Sequence, residues 1–280
     1  MSDTPINRPL QLAAYGVASL VSLAFLYPYW WMLVSAFRST KAIMDAPLRL
    51  LPERFDLSIF SEISTIGGVS LLRYIVNSLA ITTLSTCLGV IVTALGAYAL
   101  TRAPKLPGFT ALRYGFLVTI MYPYMLLVIP VYLVMFKLGL LGSYAGIILF
   151  LALGPIQFFL FEQFFRKIPV EVIEAAIIDG ASEAQILFRV VLPMAAPITA
   201  TVALITFLLN WAQWFPILVI SKSPDTYTLP VALLAMNTEL GANFQGIMAL
   251  AVITTLPVAI LFLLAQKRVM EGMASGAVKG

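Results

Sequence analysis

Stretches of about 20 residues without a single charge recur six times along this chain, each long enough to cross a hydrocarbon core of roughly 30 Å. They run from Leu10 to Phe37, Tyr74 to Thr101, Tyr114 to Phe136, about Tyr144 to Phe161, after Pro197 to Ile220, and about Phe244 to Ala265. Read as helices, six spans bring both termini to one side. Tyr27, Tyr29, Trp30 and Trp31 read as an interfacial aromatic belt. Gly89, Thr93 and Ala97 recur at steps of four, a small-residue spacing that lets a neighbouring helix approach closely. Pro123 and Pro130 remove backbone donors from the third span and should kink or partly unwind it. Gly154-Pro155 breaks the fourth, and Pro257 lies in the sixth.

The charged intervals then divide the chain: a tail with the first span (1–37), an outer loop (38–73), a five-span core (74–266) holding an inner loop at 165–197, and a C-terminal tail (267–280). Of the 17 Lys and Arg residues, the larger share falls on the side that holds both termini, which orients that side inward. The outer loop mixes charge with proline and Gly67-Gly68 and is expected to be irregular, with a short helix around Ser58 to Ile63. A second outer segment, Ser221 to Asn243, opens on the turn signal Ser223-Pro224-Asp225 and becomes apolar from Leu229 to Met236. That pattern fits a re-entrant or surface-lying connection.

The longest charged interval on the inner side, Ile168 to Pro197, has its own grammar. Pro169 suits the first turn of a helix and Gly180 the left-handed stop after its last turn. Ser182 and Gln185 stand at capping-box spacing, so a second helix should follow at once. Val170, Ile173 and Ile177 fall in an arc of roughly 60°, edged by Glu174, which gives an apolar knob for a socket. Glu171, Glu174, Asp179 and Glu183 make the elbow acidic in a basic chain. An amphipathic helix in the headgroup layer shares this pattern, although such helices favour Lys and Arg on the polar face.

Composition sharpens the picture. With 61% hydrophobic and 11% charged residues, the chain is too apolar for a soluble domain. One cysteine, Cys87, and no histidine exclude disulfides, zinc sites and histidine chemistry, and the positive charges are spread over loops rather than gathered for nucleic acid. The N-terminus lacks a basic start and a clear cleavage site, so the first run is expected to remain as an anchor. No phosphate-binding loop of the G-x-x-x-x-G-K-[ST] type occurs, and no span carries an ionisable group away from its ends, which argues against ATP hydrolysis and proton relays. Uncharged polar and aromatic side chains do lie at depth. Asn77, Gln157, Asn210, Trp211, Gln213 and Trp214 are the candidates for a substrate path, because amides beside aromatic faces suit a neutral polyhydroxylated solute. A membrane enzyme acting on lipid or glycan would need a carboxylate pair or metal cluster at a span end, and Glu162 alone is neither. A self-contained channel would not need the elbow.

From Glu174 the chain reads Glu-Ala-Ala, three residues, Gly180, nine residues, Val190, one residue, Leu192-Pro193. This resembles the EAA loop of binding-protein-dependent ABC importer permeases, with Val190 where the pattern has isoleucine. Leu264 to Gly280 and Tyr227 to Met236 are similar to the tail and last outer loop of the smaller permease subunit of the maltose importer and related carbohydrate importers. The resemblance implies an all-α polytopic membrane protein of six transmembrane helices with the type I ABC importer permease fold, in the inner membrane of a prokaryote with both termini cytoplasmic. It implies that Glu174, Ala175, Ala176, Gly180, Leu192 and Pro193 couple to an ATPase, and that Tyr227, Leu229, Pro230 and Asn237 reach toward a binding protein. The partners implied are a second homologous permease, two ATPase subunits, an extracytoplasmic substrate-binding protein, a sugar and membrane lipid. ATP and magnesium would sit on the ATPase, with no cofactor in this chain. A related importer of amino acids or polyamines would share the elbow.

Overall fold

The computed structural model describes residues 8–102, 107–239 and 243–277. In chain order the elements are α1 (Arg8–Ser35), α2 (Thr40–Asp45), α3 (Ser58–Glu62), the hairpin β1 (Thr65–Ile66) and β2 (Val69–Ser70), α4 (Leu71–Arg102), α5 (Phe109–Met121), α6 (Tyr124–Lys137), α7 (Tyr144–Ala152) and α8 (Pro155–Phe165). Then follow α9 (Val170–Ile178), α10 (Glu183–Gln185), a π-helical stretch (Ile186–Val191), α11 (Leu192–Met194), α12 (Ala196–Trp211), α13 (Phe215–Ile220), a 3₁₀ turn (Pro224–Thr226), α14 (Leu229–Glu239) and α15 (Phe244–Ala277). Gln11–Ser35, Leu71–Arg102 and Phe244–Gln266 are each long and apolar enough to cross a membrane. Two bent pairs pass the same test, α7 with α8 at 43° and Glu183–Met194 with α12 at 73°.

The proline-based expectations differ in outcome for a physical reason. Pro123 ends one helix and caps the next, so the third apolar run divides into α5 and α6, whereas Pro130 is absorbed inside α6. Pro155 opens α8 after the break at Gly154, as its missing donor allows. The fifth run is also divided, between Trp211 and Phe215, with Pro216 in the first turn of α13.

The chain resolves into two compact units, one formed by Met1–Gly68 with Leu233–Leu256 and the other by Val69–Ala232 with Pro257–Gly280. In the first unit, the loop after α1 is more ordered than its composition suggests. Trp30 Nε1 donates to Leu50 O at 2.9 Å and Trp31 Nε1 to Pro47 O at 2.5 Å, so these two tryptophans anchor the loop. Arg38 is 2% exposed and donates to the carbonyls of Ala42 and Ala46, satisfying the end of α2. Ile59 and Met236 close around Gly246.

In the second unit, α4 is the hub, packing against α7, α8 and α12. The stripe of small residues works as its spacing implies: Gly89, Thr93 and Ala97 are all buried. One apolar core gathers Tyr98, Phe158, Phe161, Phe165, Ile186 and Val191, with Phe116 stacked on Phe158 at 4.3 Å. Another joins Ile81, Ile147, Leu151, Ile217, Ile220 and Val231.

Candidate functional site

The inner elbow is built by its caps. Pro169 stands one position outside α9, as its N-cap, rather than in the first turn. At the far end Gly180 has φ 77°, and two nested bonds close the helix, Gly180 N to Ile177 O and Ala181 N to Ala176 O, both 3.0 Å. Gln185 Oε1 accepts from Ser182 N at 2.8 Å while Ser182 Oγ accepts from Gln185 N at 3.4 Å, the reciprocal pair expected of a capping box. The second arm then runs through the π-helical stretch to Met194 and bends at Ala195 into α12. Leu192 is half-buried and Pro193 exposed at that bend.

The apolar arc of the elbow does not form a single knob. Ile173 is 6% exposed and belongs to the protein's own core, which anchors α9, while Val170 and Ile177 face outward. Ile178, outside the arc, is the most exposed of the four at 84%. An arc read from sequence cannot tell which edge its own chain covers. Glu174 and Ala175 are exposed and Ala176 half-buried. Glu183 does not rim the outward face but turns back to α4, where the Arg102 guanidinium and the Tyr98 hydroxyl hold its carboxyl below the usual carboxylate range.

The second feature is a cavity of about 560 Å³ bounded by α5, α6, α7, α8 and α12. Its polar lining is Thr119, Tyr122, Gln157, Thr206, Asn210 and Gln213. None of its lining residues is Asp, Glu, Lys or Arg. Gln157 and Asn210 are each 7% exposed, and Asn210 Nδ2 donates to Ser85 Oγ at 3.0 Å, which fixes its amide. Three candidates stand outside the cavity. Trp211 is buried and stacks on Phe207 at 5.8 Å, and Trp214 lies edge-on to Phe215 at 5.6 Å. Asn77 is committed elsewhere: Nδ2 donates to Asp225 O at 2.8 Å and Tyr227 O at 2.9 Å, and Oδ1 accepts from Tyr144 Oη at 3.0 Å. Thr119, Tyr122 and Thr206 were missed because single hydroxyls in an apolar run carry no distinguishing pattern.

The outer segment is pinned by these bonds and by Ser78 Oγ, which accepts from Leu229 N at 2.7 Å. Leu229 is fully buried, so it holds the segment in place rather than offering a surface. Tyr227 and Pro230 are half-buried, and the side chain of Asn237 lies outside the described residues. Asn77→Ala should leave Tyr227 O without this buried donor, at a cost of about 1–3 kcal/mol. The expected result is faster tryptic cleavage at Lys222 and a lower melting temperature; an unchanged digest would mean the segment is held by other contacts.

Among the described residues of the second unit Glu162 is the buried charge, 2% exposed, and it is paired with Arg113 Nε at 2.6 Å and Arg166 Nε at 3.0 Å. Two guanidiniums around one carboxylate compensate its charge and leave the trio at net +1, and among the described residues no second carboxylate joins it for acid–base work.

Residues 89–274 match the family described as binding-protein-dependent transport system inner membrane component. The chain belongs to that family. This inner membrane component is 30% identical over 274 residues to the arabinooligosaccharides transport system permease protein of Halalkalibacterium halodurans, covering 96% of each chain. To the trehalose transport system permease protein of Mycobacterium tuberculosis it is 29% identical over 267 residues, covering 91% of this chain and 93% of that one. Among solved structures it resembles a chain of a bacterial ABC transporter involved in the import of the acidic polysaccharide alginate, with a TM-score of 0.81 and 25% identity over 94% of this chain and 99% of the other. The inner membrane component is thus a multi-pass transport subunit, which answers the rival reading of a membrane enzyme.

Proposed function

We propose that this chain is one of two permease subunits of an ATP-driven importer for an uncharged sugar. Its six spans are α1, α4, α5 with α6, α7 with α8, α12 with α13, and α15, with both termini cytoplasmic. The elbow from Glu174 to Pro193 docks on an ATPase subunit that carries ATP and magnesium. A second, homologous permease, a second ATPase subunit and an extracytoplasmic binding protein complete the assembly, with the segment around Tyr227 and Pro230 on the binding-protein side. Closure of the ATPases pulls the elbow, tilts the broken helices and switches the cavity from inward to outward exposure, a rigid-body change between two states.

The observation that carries the solute class is the uncharged lining of the cavity. Amino acids and polyamines carry full charges that would need a paired side chain in a site of low dielectric. Hydroxyl groups need only amides and hydroxyls, which Gln157, Thr206, Asn210 and Gln213 supply. The names of the relatives support a sugar in the same way.

Gln157→Leu and Asn210→Leu should raise the half-saturation for uptake about tenfold each, the scale of one lost hydrogen bond in a buried polar site, while leaving assembly with the ATPase intact. Trp214→Ala, outside the cavity, should leave half-saturation unchanged. The check is uptake of trehalose and arabino-oligosaccharides into vesicles by the intact importer. Equal effects from all three variants would place the path elsewhere.

A further inference from the structure

The elbow makes a polar attachment to α4 that its motif residues do not include. Glu183 opens the second arm, and its carboxylate crosses to the end of α4: Oε1 accepts from Tyr98 Oη at 2.6 Å and Arg102 Nε at 2.9 Å, and Oε2 accepts from Arg102 Nη2 at 3.3 Å. Tyr98 is buried in the core, edge-on to Phe165 at 6.0 Å. The arm is rigid at its start because Ser182 and Gln185 cap each other beside Glu183.

The other ties between elbow and core, Ile173, Ile186, Leu187 and Val191, are apolar. Apolar packing fixes distance but is non-directional. A forked guanidinium–carboxylate pair with a phenol on the same oxygen also fixes orientation. On the other side of the linkage, α4 packs against α7, α8 and α12, three of the helices that bound the cavity. We infer that Glu183, Arg102 and Tyr98 form the linkage through which movement of the elbow reaches α4, and so are positioning residues for coupling hydrolysis to transport. The inference rests on the reading of the elbow as the ATPase attachment.

Exposure separates this role from a contribution to folding. The side chains of Arg102 and Glu183 are 31% and 57% exposed, a setting in which an ion pair adds little stability. Breaking it should therefore spare the fold and reveal the mechanical role.

The test uses the intact importer, purified with its ATPase subunits and binding protein and reconstituted in liposomes. Trehalose and arabino-oligosaccharides serve as probes, and the readout is sugar delivered per ATP hydrolysed. Glu183→Arg and Arg102→Glu should each retain the ATPase subunits and continue to hydrolyse ATP, while sugar per ATP falls about tenfold, within the span of measured coupling energies. The double exchange should recover at least half of the wild-type ratio. Glu183→Gln, which keeps the shape and loses the charge, should fall between, and Tyr98→Phe should give a smaller loss than either reversal. A wild-type ratio in both single variants overturns the inference, as does a loss that the double exchange leaves unrepaired. Release of the ATPase subunits by the single variants also overturns it, because Glu183 would then belong to the docking face. Gly180→Glu, run in parallel, separates the two levels. If it uncouples transport while the linkage variants do not, the linkage alone fails; if it too behaves as wild type, the elbow reading itself fails.

Discussion

Replacing Gly180 with glutamate is expected to release the ATPase from an otherwise intact permease and to abolish uptake. The backbone there has φ 77°, a conformation that costs a residue with a Cβ about 1–2 kcal/mol, too little to unfold the protein. Among the described residues, chain neighbours aside, nothing lies within 4 Å of the position a Cβ would take, so the new side chain points out of the elbow. It would follow the exposed Ile178 and Asp179 at the end of α9, the helix assigned to the ATPase. A carboxylate forced into a closed interface without a partner costs several kcal/mol, so retention per permease after detergent purification should fall at least tenfold. Gly180→Asn, which tolerates the left-handed backbone, should act more mildly, and Glu174→Lys should act in the same direction as glutamate. Normal retention with normal uptake for Gly180→Glu would reduce the elbow to a surface helix.

The largest effect on the fold itself is expected at Gly89. A Cβ at this position would stand inside the contact distance of the Ala152 carbonyl and 2.9 Å from Gln157 Oε1. The Ala152 carbonyl is backbone and cannot swing aside, so α4 would have to move away from α7 and α8. Overpacking of this kind costs about 1–3 kcal/mol for a methyl and more for a larger group. Gly89→Ala should lower the yield of monodisperse permease, and Gly89→Leu should eliminate it. Gly96 lies on the same helix with nothing from any other described element within 4 Å of its Cβ position, so Gly96→Ala is the matched control and should behave as wild type. Equal yields for Gly89→Leu and Gly96→Ala, read by size-exclusion chromatography, would sink the argument.

What the sequence made legible was whatever depends on neighbours in the chain. Gly154-Pro155 and Pro123 broke their helices because a missing donor acts locally, and Gly180, Ser182 and Gln185 capped theirs because a cap spans only a few residues. What stayed hidden depends on partners far along the chain. Glu183 reads as one more acid of the elbow until Arg102, 81 residues earlier, is beside it. Ile173 and Ile178 cannot be sorted into inner and outer by periodicity, because the core that covers one of them comes from other helices. Asn77 has the residue type of a ligand contact, but its amide is used on the carbonyls of Asp225 and Tyr227. The outer loop looked irregular because its order comes from side chains such as Trp31 and Arg38 binding single carbonyls, a pattern with no period.

The uncharged cavity wall bears on how this permease uses the energy given to it. A charge carried across the bilayer exchanges about 2.3 kcal/mol with each 100 mV of membrane potential. Neither the side chains that line the cavity nor the uncharged sugar proposed as its cargo carries such a charge. Passage of the proposed sugar through this cavity would therefore carry no charge across the bilayer. Work against the gradient reduces to the concentration term, about 1.4 kcal/mol for each tenfold of accumulation. Under the function proposed here, a cell whose membrane potential collapses would keep this route open for as long as ATP lasts.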